Sequence, residues 1–267
     1  DRPKSWRPLI YCWRGGQRSG SMALVMTEIG WPVTVLGGGY KSFRRYIRTG
    51  LDGISNQYKF IVLTGPTGAG KTKILRTLQS KGSQILDLEG LAHHRGSILG
   101  QQPNIVQPSQ KFFETNLFFA LSKLDINQPV WIESESSKIG NLYIPNALFA
   151  NMGMSHGVSL ECPPEKRADF LLNDYSYLIS DPITTKELIT RLAFRHPQIR
   201  IAKWRKLIDK GNWRNLALEL LKYHYDPAYV QSQKRFNVNH TIHLKQAGKC
   251  MDIMFKIEKK LTISRLK

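Results

Sequence analysis

Apolar residues recur along the chain with two periods, and the alternation between them predicts most of the architecture. Residues 8–11 and 33–36 are apolar runs of strand length. Between them Met22, Val25, Met26 and Ile29 share one helical face, with Ser19 or Ser21 at its start and Gly30 at its end. The Gly37-Gly38-Gly39 loop leads into a second helix bearing Tyr40, Phe43, Tyr46 and Ile47. A polar stretch, 52–57, reads as a linker. The pattern then resumes with a strand at 60–64, a helix through Ile74, Leu75 and Leu78, and a strand at 84–88. Ser109 caps a helix carrying Phe113, Leu117, Ala120, Leu121 and Leu124, followed by strands at 129–132 and 158–161. Pro163-Pro164 opens a helix containing Arg167, Leu171, Leu172 and Tyr175. Strands alternating with helices predict a parallel α/β fold. Residues 184–225 read as helical and basic, with Trp204 and Trp213 interleaved among the cations in a composition that suits contacts to a nucleic-acid backbone, and 237–267 as a basic tail that fits no element. The implied divisions are 1–52, 53–236 and 237–267.

The turn after the strand at 60–64 carries chemistry. Gly65-Pro66-Thr67-Gly68-Ala69-Gly70-Lys71-Thr72 joins that strand to a helix, which is the context a phosphate-binding P-loop requires. Gly65, Gly68 and Gly70 let the backbone curl so that successive N–H groups, that of Thr67 among them, face one anion. The helix N-terminus adds partial positive charge. Lys71 reaches terminal phosphates, and the Thr72 hydroxyl is placed to hold Mg²⁺. Asp87, Glu89, Glu133 and Glu135 stand at or just past predicted strand ends, where a carboxylate contacts metal or substrate or orients a metal's water shell. The bland reading of these acids is a solvated strand end. His93-His94 point in different directions on any regular element, so no metal-ligand set is assigned.

A second loop has a different character. Cys12-Trp13-Arg14-Gly15-Gly16-Gln17-Arg18-Ser19 follows the first strand and precedes a helix. Backbone N–H groups, the helix dipole and Arg14 or Arg18 favour thiolate over thiol at Cys12 and form a cradle for an oxyanion. A buried structural cysteine is the alternative.

Composition narrows the partners. Lys and Arg number 39 against 20 acids in 267 residues, a formal net charge of +19. Such a surplus points to a polyanion, nucleic acid ahead of membrane, since no basic amphipathic helix with an apolar insertion face stands out. No apolar run approaches the roughly 20 residues that span a bilayer, and no signal-peptide pattern is visible. Three cysteines, Cys12, Cys162 and Cys250, are too few and scattered for a disulfide scaffold or zinc site. A reducing cytoplasm is the expected compartment.

Several stretches together resemble one family. The Tyr11–Ser21 segment followed by Gly37-Gly38-Gly39-Tyr40-Lys41 is similar to the end of a rhodanese domain. With the 65–72 loop close behind, then 86–97, 107–114, Glu133-Ser134-Glu135-Ser136 with Ile139-Gly140, and Tyr225-Asp226-Pro227-Ala228-Tyr229, the order resembles the tRNA 2-selenouridine synthases over residues 8–236. The resemblance implies the C-terminal part of a rhodanese-like domain, then a P-loop NTPase-like parallel α/β domain with a helical, basic C-terminal region. Rhodanese strands that would precede Pro8 are not in this sequence, so the resemblance implies a partial rhodanese-like domain with impaired selenation. It also implies replacement of sulfur by selenium at position 2 of a wobble 2-thiouridine in tRNA, with selenophosphate as donor. Cys12 would carry selenium as a selanyl sulfide beside Arg14 and Arg18. A geranylated thiouridine made from geranyl diphosphate would be the intermediate, its diphosphate held by Gly65, Thr67, Gly68, Gly70, Lys71 and Thr72, with Asp87 and Glu133 alongside. No tightly bound cofactor is expected, and Mg²⁺ stays open.

Two other enzyme classes fit parts of the pattern. One is a P-loop kinase or NTPase fused to a thiolate domain. The other is a phosphatase, because Cys12 and Arg18 are separated by five residues, a spacing that suits a tetrahedral phosphate. A purely structural RNA-binding protein accounts for the charge but for neither loop.

Overall fold

The computed structural model of the protein describes residues 2–14, 16–97, 99–101 and 105–245. It divides into two compact units, Asp1–Gly53 and Ile54–Lys267.

The first unit contains β1 (Leu9–Ile10), α1 (Gln17–Glu28), β2 (Thr34–Val35) and α2 (Gly39–Ile54). β1 and β2 pair in parallel, Leu9 opposite Thr34 and Ile10 opposite Val35. Parallel neighbours need a crossover connection, here supplied by α1. That helix starts two residues ahead of Ser19, because Gly16 adopts φ +90 and its carbonyl accepts from Gly20 N at 2.7 Å. Ser19 therefore lies inside the first turn and is buried.

The second unit runs β3 (Phe60–Thr64), α3 (Lys71–Ser80), β4 (Gln84–Leu86), α4 (Leu88–Ala92), α5 (Gln110–Ser122) and β5 (Val130–Glu133). The hairpin β6 (Lys138–Ile139) and β7 (Leu142–Tyr143), then α6 (Asn146–Met154) and β8 (His156–Glu161), follow. Helices α7 (Pro164–Asp174), α8 (Ser176–Ser180), α9 (Pro182–Thr190), α10 (Gln198–Asp209), α11 (Trp213–Leu220) and α12 (Asp226–Gln233) precede β9 (Asn237–His243). Five strands form an all-parallel sheet in the order β4-β5-β3-β8-β9. β3 is central and buried at every position, which is why its sequence is an unbroken apolar run. The loop that follows it emerges at the carboxyl edge of the sheet, where open α/β folds bind ligands.

Four expectations change. The polar stretch at 52–57 is not an extended linker: α2 runs to Ile54 and a 3₁₀ turn, Ser55–Gln57, follows. Asn151 holds it by donating from Nδ2 to the carbonyls of Ser55 at 2.6 Å and Tyr58 at 3.2 Å. The strand from Gln84 stops at Leu86, because Asp87 accepts from Gly90 N and caps α4. The first part of the unassigned tail is a sheet strand, β9. Its sequence hides this, since Asn237, Asn239, Thr241 and His243 are polar and only Ile242 is buried within the strand. Close approach decides the pairing instead: a Cβ on Gly157 would lie 2.5 Å from the Asn237 carbonyl oxygen. Finally, Trp204 is not presented among the basic residues but fully buried, packing with Leu188, Leu192, Ile208 and Leu216 between helices. The lysines at 256, 259 and 260, and Arg265 and Lys267, lie outside the described residues.

Candidate functional site

β3 ends at Thr64 and the chain turns through Gly65 to Gly70 before α3 begins at Lys71. Gly68 and Gly70 both adopt φ +82, a conformation that L side chains rarely adopt. At Gly68 space is also lacking, since a Cβ would stand 3.0 Å from the Arg167 carbonyl oxygen and from Leu171 Cγ. Lys71 Nζ donates to the Gly65 carbonyl at 2.8 Å, so the ammonium is folded over the loop. The N-terminus of α3 has no side-chain cap, leaving its first amides facing the loop.

Thr72 lies at the centre of an acidic group. Its Oγ1 is 3.2 Å from Glu89 Oε2 and 3.2 Å from Glu133 Oε2, and Glu89 N donates to Glu133 Oε1 at 3.3 Å. Carboxylate oxygens of Glu89, Glu133 and Glu135 lie within 4.8 Å of one another. Glu133 is wholly buried, and burial with the nearby Glu89 charge holds its pKa well above the usual carboxylate range. Burial, then repulsion from Glu135, pushes Glu89 to about 8. Burial, then repulsion from Glu133, does the same for Glu135. Lys71 opposes all three shifts without cancelling them. Three crowded carboxyls are stable only if they share protons or meet a cation. Their oxygens and the Thr72 hydroxyl form a hard donor set that fits a divalent ion such as Mg²⁺.

The four predicted strand-end acids do not behave alike. Glu133 faces Thr72, with Glu89 beside it. Asp87 instead accepts from Gly90 N at 2.7 Å and lies 3.9 Å from Arg76, as a helix cap. Glu135 completes the group from the loop after β5. Glu89 was visible in the sequence only as a position near a strand end; the turn of α4 brings it to Thr72.

The loop opens into a cleft of about 2110 Å³. Gly65, Thr67, Gly68, Gly70, Lys71 and Thr72 all line it, with Glu89 and Glu135. Cations on its walls include Arg95, Lys166, Arg191 and Arg195, and apolar groups include Ile105, Val106, Phe170 and Phe194. Arg95 is fixed by Tyr175 and Tyr177, its guanidinium 4.6 and 5.7 Å from their ring centres. It also donates to the Asp174 carbonyl at 2.9 Å and pairs with that residue's carboxylate. His93, which ends α4 at φ 52, is exposed, whereas His94 is buried and lines the cleft, so the two histidines do not converge. Residues Leu221–Tyr225 form a π-helical turn that brings His224 and Tyr225 to the cleft, a feature frequent at functional sites.

In the first unit Cys12 follows β1, with Gly16 N donating to the Arg14 carbonyl at 2.8 Å. Its thiol is lowered to about 7, chiefly by the Ser19 hydroxyl and then by backbone groups of Ser19, Gly16 and Arg14. The arginine charges are not among the causes, and both Arg14 and Arg18 side chains are exposed. The thiolate is thus favoured by hydrogen bonds, the expected backbone groups among them, while the expected charge of Arg14 or Arg18 is not among the causes. Ser19 is the residue that sequence reasoning passed over. A Cβ on Gly39 would meet the Cys12 carbonyl oxygen at 2.3 Å, so the triple-glycine loop is needed for the approach of α2.

Residues 58–193 match the family described as the tRNA 2-selenouridine synthase AAA domain. The chain belongs to the tRNA 2-selenouridine synthase family.

Relatives named tRNA 2-selenouridine synthase include one from Nitrosomonas europaea, 36% identical over 180 residues, covering 66% of this chain and 46% of the relative. One from Aeromonas salmonicida is 40% identical over 169 residues, covering 62% and 44%. One from Alcanivorax borkumensis is 32% identical over 248 residues, covering 82% and 67%. The chain spans about half the length of the Nitrosomonas relatives it matches. The tRNA 2-selenouridine synthase AAA match contains the whole 65–72 loop, the three glutamates and Arg95, while Cys12 lies outside it.

Proposed function

We propose that the chain is a tRNA-modifying transferase that takes part in replacing sulfur by selenium in a wobble 2-thiouridine, by way of a geranylated intermediate. The observation that carries the reading is the composition of the cleft. An anion loop at one end, with Lys71 over it, shares the space with apolar side chains and arginines, as a diphosphate with a prenyl tail and an RNA strand would need. In the alkylation step the 2-thio sulfur attacks C1 of geranyl diphosphate. A carbon–sulfur bond forms, the carbon–oxygen bond breaks, diphosphate leaves into the loop, and the N3 proton of the thiouridine passes to solvent. Amides of 65–72 and the Lys71 ammonium stabilise the charge that grows on the leaving oxygens. A divalent cation held by Thr72, Glu89, Glu133 and Glu135 would neutralise that leaving group further. Alkylation turns a poor leaving sulfur into a good one. The selenium of selenophosphate, its phosphoryl oxygens held at the Cys12 loop, then bonds to C2 as geranyl thiol departs, and water cleaves the selenium–phosphorus bond to release phosphate. The rhodanese-like character of residues 1–52 belongs to this same reading.

The test is mass spectrometry of nucleosides from 2-thiouridine tRNA incubated with the chain, geranyl diphosphate and selenophosphate. Lys71→Ala is expected to lower geranylated nucleoside at least tenfold. Cys12→Ser is expected to abolish selenouridine while leaving tRNA binding and geranylation intact. Undiminished geranylation and selenation on Lys71→Ala would sink the loop's role. ATP or GTP turnover indifferent to tRNA would favour a P-loop NTPase instead, and rapid aryl phosphate hydrolysis a Cys12 phosphatase.

A further inference from the structure

The 65–72 loop is held by an ion pair, its arginine buried and its aspartate partly exposed, that the reading above does not use. Arg167, in the first turns of α7, is 3% exposed. A guanidinium has five N–H donors in a rigid fork, and this one is engaged on three sides. Nε donates to the Cys162 carbonyl at 3.0 Å. Nη1 and Nη2 form a two-pronged pair with Asp226, at 2.7 and 2.8 Å. Nη1 also donates to the Thr67 carbonyl at 3.1 Å. Its burial leaves Arg167 neither a mobile phosphate clamp nor a solvated helix residue.

The contact with Thr67 has a consequence for the anion cradle. The peptide unit is planar and trans, so the C=O of Thr67 and the N–H of Gly68 point in opposite directions. Holding that carbonyl outward on Arg167 directs the Gly68 N–H the other way. Gly68, with its φ of +82, is flexible in isolation and would otherwise sample several orientations. Its packing against the Arg167 backbone and Leu171 restricts translation, and the hydrogen bond restricts rotation. Asp226 stands at the start of α12, directly after the π-helical turn, and keeps the guanidinium from swinging away.

We infer that Arg167 and Asp226 are positioning residues that preset the 65–72 loop for a diphosphate. This rests on the reading of that loop as a diphosphate site. The brace is a cost-bearing arrangement: a charge taken out of water must be matched by good geometry, and here each nitrogen has a partner. Fixing the amides before binding removes an ordering cost from association.

The probe is inorganic pyrophosphate, with affinity measured by calorimetry on the unaltered chain, Asp226→Asn and Arg167→Lys. Asp226→Asn keeps shape and loses charge at a partly exposed site, so it is the variant expected to fold; Arg167→Lys keeps charge and loses the fork. Each is expected to weaken pyrophosphate binding about tenfold. Hydrogen exchange should accelerate at the amides of 67–71 and stay unchanged in β5 and α10. Unchanged affinity and exchange in both variants would overturn the inference. So would exchange that rises uniformly through the unit, which would mark the pair as a general stabiliser. If the unaltered chain binds no pyrophosphate, the diphosphate reading itself falls and the inference with it.

Discussion

The Ser19 hydroxyl, one buried group in the first turn of α1, joins the expected backbone groups in lowering the Cys12 thiol, where an arginine charge does not. Hydrogen bonds to sulfur act at contact distance and are little affected by salt, whereas exposed guanidinium charges are screened by water and ions. Alkylation of Cys12 by iodoacetamide should accordingly follow the thiolate, with a half-maximal rate near pH 7. Ser19→Ala should move that midpoint upward by roughly one pH unit, toward an ordinary thiol. Cys12→Ser supplies the background from the other thiols, of which Cys162 is buried and raised by burial. A midpoint that stays near 7 without the hydroxyl would contradict this assignment.

At the scale of elements, three glutamates meet because three separate connections end at one place: the β4–α4 turn, the end of β5 and the loop beyond it. Glu89 and Glu135 have pKa values raised to about 8, above their unfolded values. Between about pH 4.5 and about 8 the unfolded chain therefore binds fewer protons than the folded one, and stability falls as pH rises. Without divalent cation, the Glu135→Gln variant should lose less stability from pH 5 to pH 8 than the unaltered chain, by about 1–3 kcal/mol in urea titrations. The comparison matters because His224, lowered to about 4 by burial and its neighbour His196, tilts the opposite way below about pH 6.5. Equal slopes in the two proteins would show that Glu135 ionises freely in the fold.

The same scale shows how much was legible beforehand. β3, α3, α5, β5, β8 and the start of α7 were readable because each pairs a strong apolar period with a glycine, serine or proline boundary. β9 was not, since an edge strand needs apolar residues on one face at most, and its partner contact is backbone to Gly157. Within the site, the loop residues were legible from their glycine spacing. The association of Glu89 with Thr72, and of Glu135 with Glu89, was not, because these residues are distant in sequence and only sheet order brings them together.

For the whole molecule the surplus charge of +19 remains the dominant bulk property. Some of the basic side chains are internally engaged, such as Arg167 with Asp226, Lys203 with Glu219 and Arg214 with Asp169. Others line the cleft, including Arg191 and Arg195. If these meet the proposed tRNA backbone, affinity should fall at least tenfold between about 50 and 200 mM monovalent salt, through counterion release. Filter binding across that range checks it, and a flat profile would assign the charge another role.

By itself, the sequence determined the alternation of strand and helix, the anion loop, the thiol loop and the sign of the molecular charge. Each is a local property: period, glycine spacing, residue type or a simple count. Only the tertiary structure decided that Asp87 caps a helix while Glu89 faces Thr72, that Ser19 rather than an arginine tunes Cys12, and that Arg167 is buried behind the loop. The Glu89 and Arg167 contacts join residues far apart in the chain and are set by sheet order and burial, while the Asp87 cap and the Ser19 contact are set by the path of a local turn, and neither kind leaves a periodic trace.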